Sequence, residues 1–386
     1  MIDIIIQRYD RQLLIYLGIL AIVGTVMLYS ASWYESFASS NGRTDMLFLQ
    51  GHLKRMLVGV FFLFGFIMLD YRKLKEIAPY LLIVAIVLLI ATKAFYLISG
   101  AGWYKPARWL PIGPFSLQTS DFARMAIIIF ISYYVDKKRE LLKDFQLGLL
   151  PALGVISIVM GLIVIQPDYS TALMIGVIGV LILFIGGAKF SQLSMAGAGA
   201  ALIGIPVLLS REYRRVRILS FFGIGDNPDA GYQASQSLIS LGNGRIFGVG
   251  LGNSIEKNHL LPTPHTDFIF AIIGEELGFI LGSVPILTLF LLIFFRGLKV
   301  AKECTDPFGV FLAVGISFNI ILYAFVNAAV VTGLFPVTGL PMPMVSYGGS
   351  GMVINMALIG ILLNISQARK SVGGNRGWSP SLYGSS

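Results

Sequence analysis

Most of the side chains that could take part in chemistry lie in one polar stretch, residues 231 to 278. It reads GYQASQSLISLGNGRIFGVGLGNSIEKNHLLPTPHTDFIFAIIGEELG, and it is too polar and too rich in glycine to cross a membrane. Asp267 stands where the next apolar run begins, and its carboxylate could accept a proton or hold a cation. The alternative is structural: an acid at the start of a helix favours the positive helix end and could simply cap it.

Other titratable side chains cluster around Asp267 in the sequence. Lys257, His259 and His265 precede it, and Glu275 and Glu276 follow it inside an apolar run. Adjacent acids within an apolar helix are costly, so we take them as a functional hypothesis. We predict that Lys257, His265 and Glu275 contact a substrate.

A second group lies in WYKPARWLPIGPFSLQTSDFARMAIIIF, residues 103 to 130. Arg108 belongs to its aromatic, proline-rich part. Asp121 and Arg124 are three residues apart on one helix face and can pair. Such a pair could merely orient the end of the helix. A guanidinium also binds phosphate through two parallel hydrogen bonds, so we predict that Arg108, Asp121 and Arg124 line a substrate site.

Two further segments could contribute to a site. Prolines and glycines break the apolar run at residues 327–351, as in the interrupted helices that line transporter sites, and we predict that Ser346 within this run contacts a substrate. The alternative is a plain connecting loop. A basic run is best explained by attraction to lipid headgroups, with capture of a lipid-linked phosphate as the less favoured reading; it consists of Arg211, Arg214, Arg215 and Arg217.

The composition indicates a membrane protein that holds these residues. The chain has 386 residues, 56% hydrophobic and 13% charged, whereas soluble domains carry about 25% charge. The net charge of +9 is better explained by basic cytoplasmic loops than by a nucleic-acid partner. The single cysteine, Cys304, excludes an internal disulfide. The first apolar run is long and lacks a cleavage site, so we expect it to stay as a helix.

The pattern predicts an all-α polytopic fold of about ten transmembrane helices, because a spanning helix needs roughly 20 mainly apolar residues. The segments are 12–32, 55–70, 77–98, 121–136, 147–166, 169–187, 190–209, 268–295, 309–332 and 351–368. A large extracytoplasmic loop, 210–267, separates helices 7 and 8. We expect one domain over residues 1–370 and a disordered cytoplasmic tail over 371–386.

Loop charge predicts the orientation of the chain. One set of loops holds Arg8, Arg11, Arg72, Lys73, Lys75, Lys137, Lys138, Arg139, Lys143, Lys189, Arg296, Lys299, Lys302, Arg369 and Lys370. The opposite short loops hold chiefly Arg43, Lys54, Lys105 and Arg108. Because basic loops stay inside, both termini are predicted to be cytoplasmic and the candidate site extracytoplasmic.

Four motifs together resemble the SEDS family (shape, elongation, division and sporulation), which includes FtsW, RodA and SpoVE. The most specific motif runs from Asn327 to Gly351, where the family usually has Ser or Ala at the last position. ARWLPIGPFSLQTSDFAR resembles the family's Arg-Trp, Gln-Pro-Ser-Glu and Lys stretch, with Thr119 for the proline and the Asp121–Arg124 pair for glutamate and lysine. QPDYSTA and LPTPHTDFIFAIIGEELG resemble two more motifs, with Thr263 for the usual glutamate.

The resemblance implies a peptidoglycan glycosyltransferase that polymerises lipid II on the outer face of the plasma membrane. Its expected partners are a class B penicillin-binding protein, bound through transmembrane helices, and other divisome proteins. The stretch GYQASQSLISLGNGRIFGVGLGNSIEK is more similar to FtsW-type than to RodA-type members, so septal synthesis is favoured. The alternatives are an elongation polymerase, a lipid II flippase or transporter, and an inactive scaffold.

The implied reaction is one inverting displacement, in which the acceptor 4-hydroxyl attacks C1 and pyrophosphate leaves. It needs one base and several cations, unlike the paired acids of glycosidases. Asp267 is the predicted base. Arg108, Arg124 and Lys257 are predicted to neutralise the pyrophosphate, and a divalent cation (Mg or Mn) held by Asp267 or nearby acids could share this task. Grooves between helices would hold the undecaprenyl-linked glycan's lipid tail.

Overall fold

The computed structural model describes residues 9–99, 108–113, 115–210, 212–222, 224, 228–258 and 260–368. The predicted disordered tail at 371–386 lies outside these residues, as do Lys105, Arg211 and His259.

The described part of the chain is built almost wholly from helices. They are α1 (Arg11–Ser39), α2 (Leu47–Met68), α3 (Arg72–Ile98), α4 (Thr119–Lys138), α5 (Leu150–Ile165), α6 (Tyr169–Ile185), α7 (Phe190–Leu209), α8 (Glu212–Phe221), α9 (Pro228–Gly244), α10 (Ile269–Gly278), α11 (Val284–Glu303), α12 (Pro307–Val331) and α13 (Ser350–Ser366). A 3₁₀ turn (Arg139–Lys143) and a π-helical turn (Phe145–Leu149) precede α5, and a second π-helical turn (Phe279–Ser283) joins α10 to α11.

Each of the ten predicted spanning segments coincides with a helical segment, so the predicted multi-pass membrane fold is confirmed. Seven helical segments among the described residues are long and apolar enough to cross a membrane, and α6 and α13 are shorter apolar helices. Helix α4 matches the remaining segment but carries Asp121, Arg124 and Asp136, which lower its hydropathy. The two largest boundary errors are equal: α2 begins at Leu47 instead of residue 55, and α11 ends at Glu303 instead of residue 295.

The polar segment 210–267 is more regular than predicted, because it contains α8 and α9. In α9, buried serine hydroxyls donate hydrogen bonds to backbone carbonyls of other helices: Ser237 to Val331 and Ser240 to Ala271. Two serines that made this stretch look like a loop therefore lie at contacts between helices. A second regular piece is an antiparallel hairpin of β1 (Trp109–Ile112) and β2 (Phe115–Gln118), which leads directly into α4.

Helix α12 lies at the centre of the bundle and contacts α4, α6, α11 and α13. It is far more buried than the other candidate spans: 72% of its most apolar 18-residue stretch is buried inside the protein, whereas in α7 only 6% is. The broken run after α12 is confirmed as an interruption: α12 ends at Val331 and α13 begins at Ser350. Within the irregular backbone between them, residues 342–346 are buried in protein, as membrane-depth backbone requires, whereas residues 332–339 are exposed or half-buried.

Helices α2 and α13 approach very closely, and small residues allow this contact. A Cβ atom added at Gly360 would lie 2.5 Å from the carbonyl oxygen of Leu63 and 3.1 Å from Cβ of Phe66. Because the nearest atom is backbone, the neighbouring helix would have to move to accept a side chain.

We predict that Gly360→Leu destabilises the protein by about 1–3 kcal/mol, the usual cost of overpacking. The measurement is the thermal unfolding midpoint of the purified protein in detergent. Gly18→Ala is the matched control, because an added Cβ there meets nothing within 4 Å and its midpoint should be unchanged or slightly higher. Equal midpoints for the two variants would contradict the close approach.

Candidate active site

Asp267 does not cap a helix, contrary to the structural alternative. Helix α10 begins at Ile269, its N-cap residue is Phe268, and no side chain makes the capping hydrogen bond. The carboxylate is instead partly buried in a turn just before the helix. It is therefore available for another role.

The backbone of Asp267 is held by the interrupted segment after α12. The Asn327 side-chain amide donates to the carbonyl oxygens of Asp267, at 2.7 Å, and of Leu340, at 2.8 Å. Gly339, at φ +73°, lies beside the carboxylate: an added Cβ would be 3.4 Å from Oδ2 of Asp267. The motif at 327–351 thus positions Asp267, which explains why these two sequence motifs occur together.

Burial raises the pKa of the Asp267 carboxyl, because removal from water disfavours its charged form. The positive charges of Arg108, Arg217 and, when protonated, His265 act in the opposite direction, with Arg108 the strongest. Such a carboxylate is a stronger base than a solvated aspartate. It also faces cations that could hold an anionic leaving group.

Arg108 lies immediately before β1 and is held by the turn between α5 and α6. Its Nη2 donates to the carbonyl of Pro167, and its Nη1 is 4.0 Å from Oδ1 of Asp168. Its Nε is buried and has no hydrogen-bond partner among the residues that the structure describes. The Arg108 side chain is 36% exposed, so a ligand can reach the guanidinium.

His265 is fixed between aromatic rings beside Asp267. Its ring lies 4.4 Å from that of Phe48 and 5.5 Å from that of Tyr347, centroid to centroid. Its Nδ1 is 3.0 Å from Oε2 of Glu35, and its carbonyl accepts from the Tyr347 amide at 2.8 Å. This packing holds the histidine within electrostatic range of Asp267, and its predicted contact with substrate stays a prediction.

Asp121 and Arg124 form the predicted pair, with Nη2 of Arg124 3.3 Å from Oδ1 of Asp121. Arg124 is 1% exposed and also donates to Oδ1 of Asn355 at 3.2 Å. Its guanidinium lies 4.3 Å from the centre of the Tyr323 ring. A Cβ at Gly351 would approach Oδ2 of Asp121 to 3.1 Å, so the glycine at this position leaves room for the acid.

Lys257 and Glu275 make all their described polar contacts with protein groups, deep in the fold. Nζ of Lys257 is 2.7 Å from Oε1 of Glu276, and both side chains are almost fully buried. Ser30 of α1 donates to the same carboxylate at 2.6–2.7 Å. Glu275 accepts from Ser240 at 2.9 Å, from Ser254 and from an amide. Their predicted substrate contacts stay predictions, and here these residues join α1, α9 and α10.

Ser346 has an equally local set of contacts. Its hydroxyl accepts from the Met342 amide at 2.8 Å, its own amide donates to the Met342 carbonyl at 3.0 Å, and the residue is buried. It closes a turn in the interrupted segment. Its predicted contact with substrate is therefore not tested by this geometry.

Arg217 is the cation whose role the sequence understated. It belongs to the basic run assigned to headgroups, yet α8 brings it within electrostatic range of Asp267, and its Nη2 donates to Oε1 of Gln233 at 3.2 Å. Arg214 stacks on the Tyr169 ring at 3.7 Å. The sequence did offer this possibility in the less favoured interpretation of the basic run, that these arginines capture a lipid-linked phosphate.

A divalent cation stays a prediction. Within the described residues, no three His, Cys, Asp or Glu side chains come together as metal ligands.

The fold and this buried acid with its arginines define a multi-pass membrane protein with a site at the junction of loops and helices. The FtsW/RodA/SpoVE family of cell cycle proteins matches residues 11–371, and the chain belongs to this family. The family predicted from the sequence is thereby confirmed.

Two curated relatives illustrate the likeness. A Geobacter sulfurreducens protein, named probable peptidoglycan glycosyltransferase FtsW, is 37% identical over 372 residues, covering 95% of this chain and 97% of that protein. Stage V sporulation protein E of Bacillus subtilis is 35% identical over 361 residues, covering 93% and 97%. The activity predicted from the sequence is the one that the first name states.

Two solved structures share the fold. One belongs to a peptidoglycan synthase complex that coordinates polymerization and crosslinking; its TM-score is 0.74 at 23% identity, over 94% of this chain and 99% of that chain. The other is the rod shape determining protein RodA of Thermus thermophilus, with a TM-score of 0.65 at 22% identity, over 94% and 97%.

We predict that Lys257→Met destabilises the protein by about 3–5 kcal/mol, because Glu276 would stay buried without its cation. Adding Glu276→Gln should recover most of the loss in thermal unfolding midpoint. The control is Lys299→Met at the exposed Lys299–Glu303 pair, where about 0–1 kcal/mol is expected. An unchanged midpoint in Lys257→Met would contradict a structural role and favour contact with substrate.

Proposed function

We propose that this protein is a peptidoglycan glycosyltransferase that polymerises lipid II into glycan strands in septal wall synthesis. The observation that carries the proposal is the Asp267 carboxylate, whose pKa burial raises, with Arg108 and Arg217 acting on it. A base and fixed cations are what a displacement with a diphosphate leaving group requires. Family membership and the names of the relatives support the same reaction.

In the proposed reaction Asp267 takes the proton of the acceptor 4-hydroxyl. The hydroxyl oxygen forms a bond to C1 of the donor sugar while the bond from C1 to the diphosphate oxygen breaks, which inverts the configuration. Arg108 and Arg217 hold the departing diphosphate, and the proton on Asp267 passes to water. No acid is needed on the leaving side, because diphosphate leaves as an anion.

Asp121 and Arg124 would support this site from below. Arg124 is too deeply buried to reach solvent. Asp121, with which it pairs, contacts Ser350 at 3.2 Å and so connects α4 to α13 under the hairpin. Their proposed role toward the substrate is to supply polar groups at the buried side of the site. Lys257 is a weaker candidate for the diphosphate, since Glu276 already balances its charge.

The proposed site faces the outside of the plasma membrane, and both termini face the cytoplasm. The basic loops support this orientation, because they lie on the opposite side from Arg108 and Asp267 in the predicted topology. The proposed partner is a class B penicillin-binding protein bound through transmembrane helices. The likeness to a chain of a synthase complex that coordinates polymerization and crosslinking supports such a pairing.

We predict that Asp267→Asn lowers polymerisation of lipid II by about 10²–10⁴-fold, because the amide keeps the size but not the basicity. The measurement is the yield of glycan chains on a gel, with purified protein and its transpeptidase partner in detergent. Co-purification of the partner should be unchanged. A detergent assay also separates a polymerase from a flippase, which needs vesicles, and wild-type polymer yield from the Asn variant would refute the mechanism.

The pH dependence of polymerisation should report the ionisation of Asp267. Since its pKa is raised and the base acts when ionised, activity should fall with acid at a higher pH than a solvated aspartate would give. Arg108→Gln removes the strongest opposing charge, so the acid limb of the normalised kcat/KM profile should move to still higher pH. Arg217→Gln should move it less. A shift toward lower pH in either variant would contradict the arrangement.

A further inference from the structure

Asp168 is a buried carboxylate that the proposed reaction does not use. It is 3% exposed and occupies the N-cap position of α6, yet its side chain makes no capping hydrogen bond. Oδ2 accepts instead from the Ser120 hydroxyl at 2.9 Å and from Nε2 of Gln118 at 3.2 Å. Its other oxygen, Oδ1, faces Arg108.

The two described side-chain contacts of Arg108 both come from the turn that contains Asp168. Nη2 is bonded to the Pro167 carbonyl and Nη1 is 4.0 Å from Asp168. The opposite edge of the guanidinium keeps Nε without a partner among the described residues. Arg108 is thus held by this turn, and its side chain is 36% exposed, so an anion can approach the guanidinium.

A continuous series of hydrogen bonds connects this turn to the helix bundle. Gln118, which bonds Asp168 through its side chain, donates its backbone amide to Oγ of Ser350 at 2.8 Å. Ser350 donates to Oδ2 of Asp121 at 3.2 Å, and Asp121 pairs with Arg124. The hairpin that carries Arg108 is therefore attached to α4, α6 and α13 at once.

We propose that Asp168 is a positioning residue that holds the Arg108 guanidinium in place to bind the diphosphate of the substrate beside Asp267. The inference rests on the proposed function. An arginine side chain is long and has many rotamers, so a fixed binding geometry needs a second group to hold it. Without Asp168, the guanidinium is free to pair with Asp267 and neutralise the base. Asp168 thus keeps Arg108 from pairing with Asp267 and holds it where it can bind the diphosphate.

The competing explanation is that Asp168 only stabilises the fold through Ser120 and Gln118. The two explanations differ in their coupling to Arg108. A residue that acts by holding Arg108 has nothing left to contribute once Arg108 is replaced, whereas a purely structural residue contributes the same in either background.

The test is a double-mutant cycle on lipid II polymerisation with the full chain and its partner. Asp168→Asn keeps an acceptor for Ser120 but presents neutral or donating groups to Arg108, and we expect kcat/KM to fall about 10–100-fold, largely through a higher KM. The kcat/KM of Arg108→Gln should fall at least as far. The double variant should match Arg108→Gln within about threefold.

Two further variants control for misfolding. Asp136→Asn removes a carboxylate from the Lys75–Asp136 pair on the predicted cytoplasmic side, at 2.5 Å, and should keep wild-type kinetics. Ser120→Ala loosens Asp168 while leaving its charge, so it replaces Asp168→Asn in the cycle if that variant unfolds early in a thermal scan. A smaller drop, about 2–5-fold, with the same lack of additivity is then expected.

Each outcome decides one of the two proposals. Single effects that multiply in the double variant would overturn the positioning role, and so would wild-type kcat/KM in Asp168→Asn. If the wild-type protein polymerises lipid II in the same experiment, the proposed function stands whatever the cycle shows. If the wild-type protein makes no polymer, the proposed function fails and the positioning role with it.

Discussion

A charge inside an apolar bundle is tolerated only when other groups compensate it, and the arrangement around Asp267 depends on this constraint. The buried acids next to it are compensated in full: Glu276 by Lys257 and Ser30, and Glu275 by two serines and an amide. Asp267 differs: among the described residues no hydrogen bond to its carboxylate is found, and the nearby Arg108 and Arg217 offset its charge. That difference separates a group that holds the fold from one that can accept a proton.

The same constraint explains why the polar motifs lie on separate elements. Arg108 precedes a hairpin, Asp121 and Arg124 begin a helix, Asp168 ends a turn, and Asp267 follows a long polar segment. The site assembles where these elements meet beneath the interrupted segment after α12. Irregular backbone at that depth is acceptable because it is covered by protein and bonded to groups such as Asn327.

The proposed enzyme therefore uses two kinds of polar network. The Lys257–Glu276–Ser30 cluster and the Arg124–Asp121–Ser350 series join helices, and they set the frame. Arg108, Arg217 and Asp267 lie together at the proposed active site. Fixed charges placed before the substrate arrives need little reorganisation during the reaction, which is the usual source of electrostatic catalysis.

Much of this could be predicted, and the exceptions have a common cause. The ten helices follow from apolar length, and Asp267 was recognisable as an acid at the edge of an apolar run. The segment 210–267 is more regular than expected because serine looks like a loop residue, although in α9 serine hydroxyls donate to carbonyls of other helices. Arg217 was assigned to headgroups because its sequence neighbours are arginines, while its relevant neighbour in space is Asp267.

The sequence by itself determined the membrane architecture and the family, and it singled out Asp267 as the predicted base, because hydropathy, loop charge and motifs are local properties of the chain. Only the tertiary structure decided which cations act on that acid and which are already paired. Lys257 meets Ser30 across 227 positions, and Ser350 meets Asp121 across 229. Partners so distant in the chain are chosen by the packing of helices, which no local pattern of residues records.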